Sequence, residues 1–461
     1  MSAPRGRPPR GRPPLPPGPY LIVGLARSGA AAGRILASRG EVIGCDRAAR
    51  AEALEIAGVE VHLGSEGVEL LDRVRTVVKS PGVPSSAAVI AAAHERGLEV
   101  VGELELAWRL ISNDFVAITG TNGKTTTTEL IAAIHREAGI SVAVAGNVGT
   151  PLSSLAGEIG EQAVVICEVS SFQLDDASAF APECAVLVNL AEDHLDRHGS
   201  ADRYRQAKLQ IFANQRPDDL AVLPADLAEL LADPAMPRVI TFGGKRADLQ
   251  LRPGGPRSRG GALWWADELL MPVADIRLRG AHNIENAMAA AAAALARGLE
   301  TGAITGALAT FAGVRHRLEE IAERAGVLFV NDSKATNVAS AAAAIEAFSG
   351  GVHAILGGSL KGGGFAGLRA AVEARCRGCY LIGAAADTLA EDLHGTVALN
   401  RCGDLERALA AATAAARPGE VVLLSPACAS FDQYTDFEAR GEHFRALVEH
   451  DCERSRRTTR E

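Results

Sequence analysis

The stretch Phe115-Val-Ala-Ile118 runs straight into Thr119-Gly-Thr-Asn-Gly-Lys-Thr-Thr126, and no other feature of this 461-residue chain restricts its fold so tightly. A short run of β-branched and aromatic residues reads as a buried strand. A turn with two glycines, then lysine and two threonines, reads as a phosphate-binding loop that opens a helix. Gly120 and Gly123 let backbone N–H groups of Thr121 and Asn122 converge on phosphate oxygens, and the positive end of the helix faces the same anion. Lys124 then reaches the β- and γ-phosphates, the Thr125 hydroxyl faces Mg²⁺, and Thr126 continues the same turn. The strict form of this loop has a small residue where Ile118 stands, so the match is a likeness and not a full copy.

Strand, loop and helix in that order call for a parallel neighbour, and the rest of the chain supplies candidates. Ala163-Val-Val-Ile-Cys167 and Cys184-Ala-Val-Leu-Val188 are further buried strands. Before them, Tyr20-Leu-Ile-Val-Gly24 leads through Gly24-Leu-Ala-Arg-Ser-Gly29 into an alanine-rich helix. A second strand there, Glu41–Asp46, ends in an acid, and a third, Thr76–Lys79, enters Ser80-Pro-Gly82. That order suits a dinucleotide site, a nucleotide-sugar diphosphate site, or a plain tight strand-to-helix connection, because Ala26 replaces the second glycine of the dinucleotide pattern. The last third repeats the alternation, with strands at Val327–Val330, Val352–Leu356, Cys379–Ile382 and Val421–Leu424. Residues 245–280, with Trp264 and Trp265, read as hairpins or loops on the central part, and His282–Arg297 reads as a helix.

The fold class expected is therefore α/β in three domains, at residues 20–112, 113–313 and 314–461. Residues 1–19, rich in Pro and Arg, read as a disordered tail. A net charge of −9 leaves no basic field for a nucleic acid. No run of about 18 apolar residues marks a membrane span, and the first residues lack the apolar core of an export signal, so a cytoplasmic location is expected. The eight cysteines are scattered, and Cys376 and Cys379 have no second pair with which to hold zinc, so all read as ordinary thiols.

Two polar clusters follow central strands directly: Glu168-Val-Ser-Ser-Phe-Gln173, and Asn189 through Glu192-Asp-His194-Leu-Asp196. Ligands collect at the carboxyl ends of parallel strands, so Glu168 and His194 can share a metal with Thr125, or can simply cap the elements they join. Lys208, on the next helix, reads as a solvated charge. In the last third, Asn331-Asp-Ser-Lys-Ala-Thr-Asn337 offers Asp332 to a ribose and Lys334 to an anion, and Ser425-Pro-Ala-Cys-Ala-Ser-Phe-Asp-Gln433 offers hydroxyls to a small carboxylate. Either reads equally well as a capped loop.

Taken together, these motifs resemble the Mur ligase family over residues 20 to about 450. The phosphate loop is similar to the family's ATP loop. The segments 331–337 and 425–433 resemble the member that adds D-glutamate, as does the order Gly146-Asn-Val-Gly149, Glu168–Gln173, Glu192–His198. The resemblance implies a Rossmann-like UDP-binding first domain, a P-loop-type ATPase with a parallel sheet in the centre, and a Rossmann-like last domain. It implies ATP-dependent joining of D-glutamate to UDP-N-acetylmuramoyl-L-alanine through an acyl phosphate, by a monomer using Mg²⁺. On it, Arg27, Ser28, Asp46, Ser80 and Asn147 contact the nucleotide sugar. Lys124, Thr125 and Thr126 hold ATP phosphates, with Arg317 and Asp332 also on ATP. Glu168, His194 and a carbamylated Lys208 join Thr125 on the metal, and Lys124, His194 and Lys208 are the catalytic set. Lys334, Thr336, Lys361, Ser430 and Phe431 border the D-glutamate site. One departure is visible: Gly364 stands where the family usually has aspartate. The rival readings are a sister ligase or a folylpolyglutamate synthetase, an NAD-binding dehydrogenase or regulatory module, and a scaffold without activity.

Overall fold

The structure, a computed structural model, describes residues 11–49, 55–191, 195–231, 237–253, 261–360 and 363–458. Three sheets organise it. The first has spatial order Glu60–Leu63, Val42–Asp46, Tyr20–Val23, Thr76–Lys79, Glu99–Gly102, with every pairing parallel. The second has nine strands, and Phe115–Thr119 lies between Val164–Glu168 and Cys184–Leu187, parallel to both. All five residues of Phe115–Thr119 are buried, as expected for a strand covered on both faces. The third centres on Val421–Leu424, flanked in parallel by Val327–Asn331 and Val352–Gly357.

The fold class read from sequence matches this α/β architecture, and several elements refine it. Residues 249–252, 262–265 and 268–272, expected as attached hairpins or loops, extend the nine-stranded sheet, the last two pairings being antiparallel. Glu319–Arg324 adds an antiparallel edge strand to the third sheet.

The first two sheets form one compact unit, running to Asp275 and taking in Glu285–Thr310. The other unit holds Ile276–Ile284 and the chain from Phe311. Buried ionic groups join the two sheets of the first unit. Lys79 meets Asp176 at 2.7 Å with both side chains nearly inaccessible. Glu103, on the helix Glu103–Leu110, accepts from the Ser153 N–H at 2.7 Å and its hydroxyl at 2.6 Å. Burial pushes the Glu103 carboxyl up.

The expectation of disorder through residue 19 does not hold for residues 11–19, and residues 1–10 lie outside the described residues. Arg12 is buried at its side chain, donates to the carbonyls of Trp108 at 2.5 Å and Asn113 at 2.6 Å, and lies 3.9 Å from Glu183. Its guanidinium sits 4.9 Å from the centres of both the Trp108 and the Phe115 rings. The Pro16 and Pro17 carbonyls accept from Tyr20 and Thr76 hydroxyls. Composition alone misjudges this segment because one arginine between two aromatic rings supplies what the prolines lack.

Candidate active site

The phosphate loop is shaped by its glycines. Gly123 has φ +80°, and a Cβ there would meet Asn286 Oδ1 at 2.0 Å, so no side chain fits. The helix Lys124–Glu137 starts at the next residue. Lys124 Nζ turns back onto the loop, donating to the carbonyls of Gly120 at 3.0 Å and Thr121 at 2.9 Å. Lys208 Nζ donates to the same Gly120 carbonyl at 2.7 Å and is 2% exposed, so it is not the solvated charge that its residue type suggested. Thr126 Oγ1 is buried with no hydrogen-bond partner among the described residues.

Residues that sequence reasoning passed over hold this loop from behind. Asn189 Oδ1 accepts from the N–H of Thr121 at 3.1 Å and of Asn122 at 2.9 Å, and Asn189 Nδ2 returns a bond to the Asn122 carbonyl at 3.2 Å. The Tyr204 hydroxyl donates to Thr121 Oγ1 at 3.2 Å. The available signal was that Asn189 directly follows a strand beside the loop strand.

Thr125, Glu168 and Asn147 come together. Thr125 donates its hydroxyl to Glu168 Oε2 at 2.6 Å, and Asn147 Nδ2 donates to Oε1 at 2.9 Å. Glu168 is 3% exposed and ends its strand. His194 lies outside the described residues, as does Lys361.

Around the first turn, Gly24 has φ +86°, and a Cβ on Gly29 would strike the Gly24 carbonyl at 1.8 Å. Asp46 accepts from the Leu25 N–H at 2.8 Å and the Ala48 N–H at 2.9 Å, and Ser80 donates to the Gly24 carbonyl at 2.7 Å. Arg27 and Ser28 begin the helix Arg27–Ala37, with Arg27 exposed. Arg197, stacked on Phe172 at 4.0 Å, donates to the carbonyls of Pro81 at 2.9 Å and Val83 at 3.0 Å. Beside them a cavity of about 710 Å³ is lined by Lys79, Ser85, Phe172, Arg197, His198 and Arg203 among others.

In the second unit, Asp332 is buried. It accepts from the Ser425 hydroxyl at 2.8 Å and the Leu318 N–H at 3.1 Å. Burial pushes its carboxyl up to about 7, against the opposing pull of those bonds and of Arg317. Arg317 Nε is buried with no hydrogen-bond partner among the described residues. Lys334 lies 5.6 Å above the Phe437 ring, Thr336 continues the same loop, and Ser430 is buried while Phe431 is 72% exposed. The residue that ties these loops together, Arg440, has no sequence motif. It is 1% exposed and donates to Ser333 Oγ at 2.9 Å and to the carbonyls of Ser333 at 2.8 Å, Cys428 at 3.1 Å and Ala429 at 3.3 Å. Desolvation pulls its guanidinium down to about 10.

Three family models match the chain in order: "Mur ligase MurD-like, N-terminal domain" at residues 19–102, "Mur ligase middle domain" at 118–294, and "Mur ligase, glutamate ligase domain" at 316–428. The chain belongs to the Mur ligase family. The match to the first of these models replaces the dinucleotide alternative for the first sheet. Among curated relatives of the family, the UDP-N-acetylmuramoylalanine–D-glutamate ligase of Acidobacterium capsulatum is 42% identical, covering 93% of this chain and 95% of the relative. The ligase of the same name from Pelotomaculum thermopropionicum is 40% identical, covering 93% and 96%. Among solved structures, the UDP-N-acetylmuramate-alanine ligase of Thermotoga maritima shares the fold at TM-score 0.61 and 20% identity, covering 94% of this chain and all of the other. The MurF ligase of Thermotoga maritima, solved in complex with ADP, does so at TM-score 0.59 and 20% identity, covering 90% and 89%.

Proposed function

We propose that this chain joins D-glutamate to UDP-N-acetylmuramoyl-L-alanine at the expense of ATP, as a cytoplasmic monomer in peptidoglycan precursor synthesis. The observation that carries the proposal is the double use of Glu168: one oxygen faces the phosphate-loop threonine, the other faces Asn147 of the nucleotide-sugar set. A single carboxylate thereby links the proposed phosphate donor to the proposed acceptor. The relatives named as D-glutamate ligases support the choice of amino acid. On this reading residues 20–112 hold UDP through Arg27, Ser28, Asp46 and Ser80, residues 113–313 hold ATP, and residues 314–461 carry the D-glutamate contacts Lys334, Thr336, Lys361, Ser430 and Phe431.

The residues fit Mg²⁺. It takes hard oxygen ligands and keeps several waters, so the Thr125 hydroxyl and Glu168 carboxylate are a suitable pair. Among the described residues no group of three or more His, Cys, Asp or Glu gathers to hold another metal. His194 and a carbamylated Lys208 would complete the set. When bound, the ion neutralises phosphate charge. Arg317 Nε and Thr126 Oγ1, buried and unpartnered among the described residues, suit phosphate oxygens.

The muramoyl-alanine carboxylate attacks the γ-phosphorus of ATP, and ADP leaves. Such transfer needs alignment and charge neutralisation more than covalent help. Lys124, already folded across the loop, supplies a positive charge at the β- and γ-phosphates. The neutral amine of D-glutamate then adds to the acyl-phosphate carbonyl, and the tetrahedral oxyanion collapses with loss of inorganic phosphate and the amine proton. The test is phosphate release with each substrate omitted in turn. Release requires all three; release that persists without D-glutamate would falsify the assignment.

A further inference from the structure

The turn Ser80–Val83 leaves the strand Thr76–Lys79 and forms a wall against the first glycine turn. The Val83 N–H closes it on the Ser80 carbonyl at 3.0 Å. The Ser80 N–H donates to the Val23 carbonyl at 3.1 Å, and the Ser80 hydroxyl to the Gly24 carbonyl at 2.7 Å. The fit is tight. A Cβ on Gly24 would meet Val83 Cγ2 at 2.9 Å, and one on Gly29 would meet Ser80 Oγ at 2.7 Å. Any shift of Ser80–Val83 therefore moves the surface against which Gly24–Gly29 is shaped. The far side of the turn faces solvent: Gly82 is exposed, and a Cβ there would meet no atom of the described residues within 4 Å.

That side is held by Arg197, from the short helix Leu195–His198 in the region of the nine-stranded sheet. One nitrogen, Nη2, bridges the carbonyls of Pro81 at 2.9 Å and Val83 at 3.0 Å. The guanidinium lies 4.0 Å from the centre of the Phe172 ring. Phe172 belongs to the helix Ser171–Asp175, whose start is fixed by a capping box between Ser170 and Gln173. His198 stacks on the same ring with centres 5.1 Å apart and planes 8° from parallel, and its Nε2 lies 3.0 Å from Ser171 Oγ. An arginine laid on an aromatic face is pre-organised, so its donors are presented in one place. The Val83 carbonyl takes a second cationic donor, Lys79 Nζ at 2.8 Å, which is itself paired with Asp176. Two cations thus converge on the carbonyl that ends the turn.

We propose that Arg197 is a positioning residue for the nucleotide sugar: it clamps the Ser80–Val83 turn from outside and so fixes the glycine turn that receives the diphosphate. The proposal rests on the function given above. The role is indirect, exerted through two backbone carbonyls. Arg197 is exposed, so removing it returns those carbonyls to water and leaves Val83 on Lys79. The fold then survives while the turn loosens.

The experiment compares Arg197→Ala and Arg197→Lys with the parent in the full chain. KM for the nucleotide sugar, ATP and D-glutamate, kcat, Tm, and the Kd of UDP alone by calorimetry are measured for each. Arg197→Ala should raise KM for the nucleotide sugar and the Kd of UDP roughly tenfold, the value of one charge-assisted hydrogen bond. KM for ATP and D-glutamate should stay within about twofold, and Tm within about 3 °C. Arg197→Lys, which keeps a cationic donor, should return both values to within about threefold of the parent. An Arg197→Ala variant whose UDP affinity is unmoved overturns the proposal. So does a variant in which all three KM values rise together as Tm falls, since that marks a general loosening. A parent that binds no UDP overturns both this and the nucleotide-sugar reading; a parent that binds UDP no better than Arg197→Ala overturns only the role of Arg197.

Discussion

The phosphate loop of the first unit and the paired loops 331–337 and 425–433 of the second both leave parallel strands at their carboxyl ends, yet they are secured differently. The first is gripped by several separate side chains, with Asn189 on two N–H donors, Tyr204 on Thr121 and the Lys208 amine on the Gly120 carbonyl, leaving Lys124 folded on the loop itself. The second pair is tied by the Ser425 hydroxyl on Asp332 and, over more residues, by one buried guanidinium, Arg440, reaching both loops. Many weak ties allow one to be lost at modest loss of stability. A single buried cation concentrates the dependence, since its removal strands several carbonyls at once.

Lys124→Ala gives the largest effect and tests the loop's chemistry apart from its support. Turnover should fall by on the order of 10³-fold or more, with UDP-sugar binding nearly intact by calorimetry. An active variant would refute the loop assignment. Next, Arg440→Ala should destabilise the second unit by about 3–5 kcal/mol in denaturant unfolding. A loss below about 1 kcal/mol would mean that the loops are held in a distributed way after all.

Asp332 sharpens the contrast through pH. Its folded pKa, about 7, lies above the unfolded value, so its contribution is fully present below about pH 4. As pH rises toward 7 the unfolded chain releases the proton first, and stability falls by up to a few kcal/mol before levelling off. Asp332→Asn, which cannot titrate, should lack this fall; a wild type that gains stability relative to it over that window would show that the neighbouring arginines hold the carboxylate charged. Smallest is Asn189→Ala, expected to raise KM for ATP by roughly fivefold, about 1 kcal/mol, with Tm little changed. An unchanged KM would assign the grip to Tyr204 and Lys208.

The same contrast explains what could be read from the chain alone. The phosphate loop was legible because its chemistry lies in eight consecutive residues, Thr119–Thr126, between a fully apolar strand and a helix. The core strands of all three sheets were legible for the same reason. Asn189 and Arg440 were not, because each acts across the fold: Asn189 Oδ1 binds residues 67 and 68 positions away, and Arg440 bonds Ser333 from 107 positions away. Glu319–Arg324 was missed because an edge strand reading Glu-Glu-Ile-Ala-Glu-Arg carries no buried run. Lys208 looked like surface charge because nothing in a helix sequence signals that its amine will end against a glycine carbonyl.

Arg12 bears on how the protein is made in the laboratory. The family match begins at residue 19, which invites trimming the chain to that point. Such a trimmed gene product would lose the Arg12 guanidinium from beside Glu183 and from the faces of Trp108 and Phe115. A purification tag is therefore better placed ahead of the complete arm or at the opposite terminus.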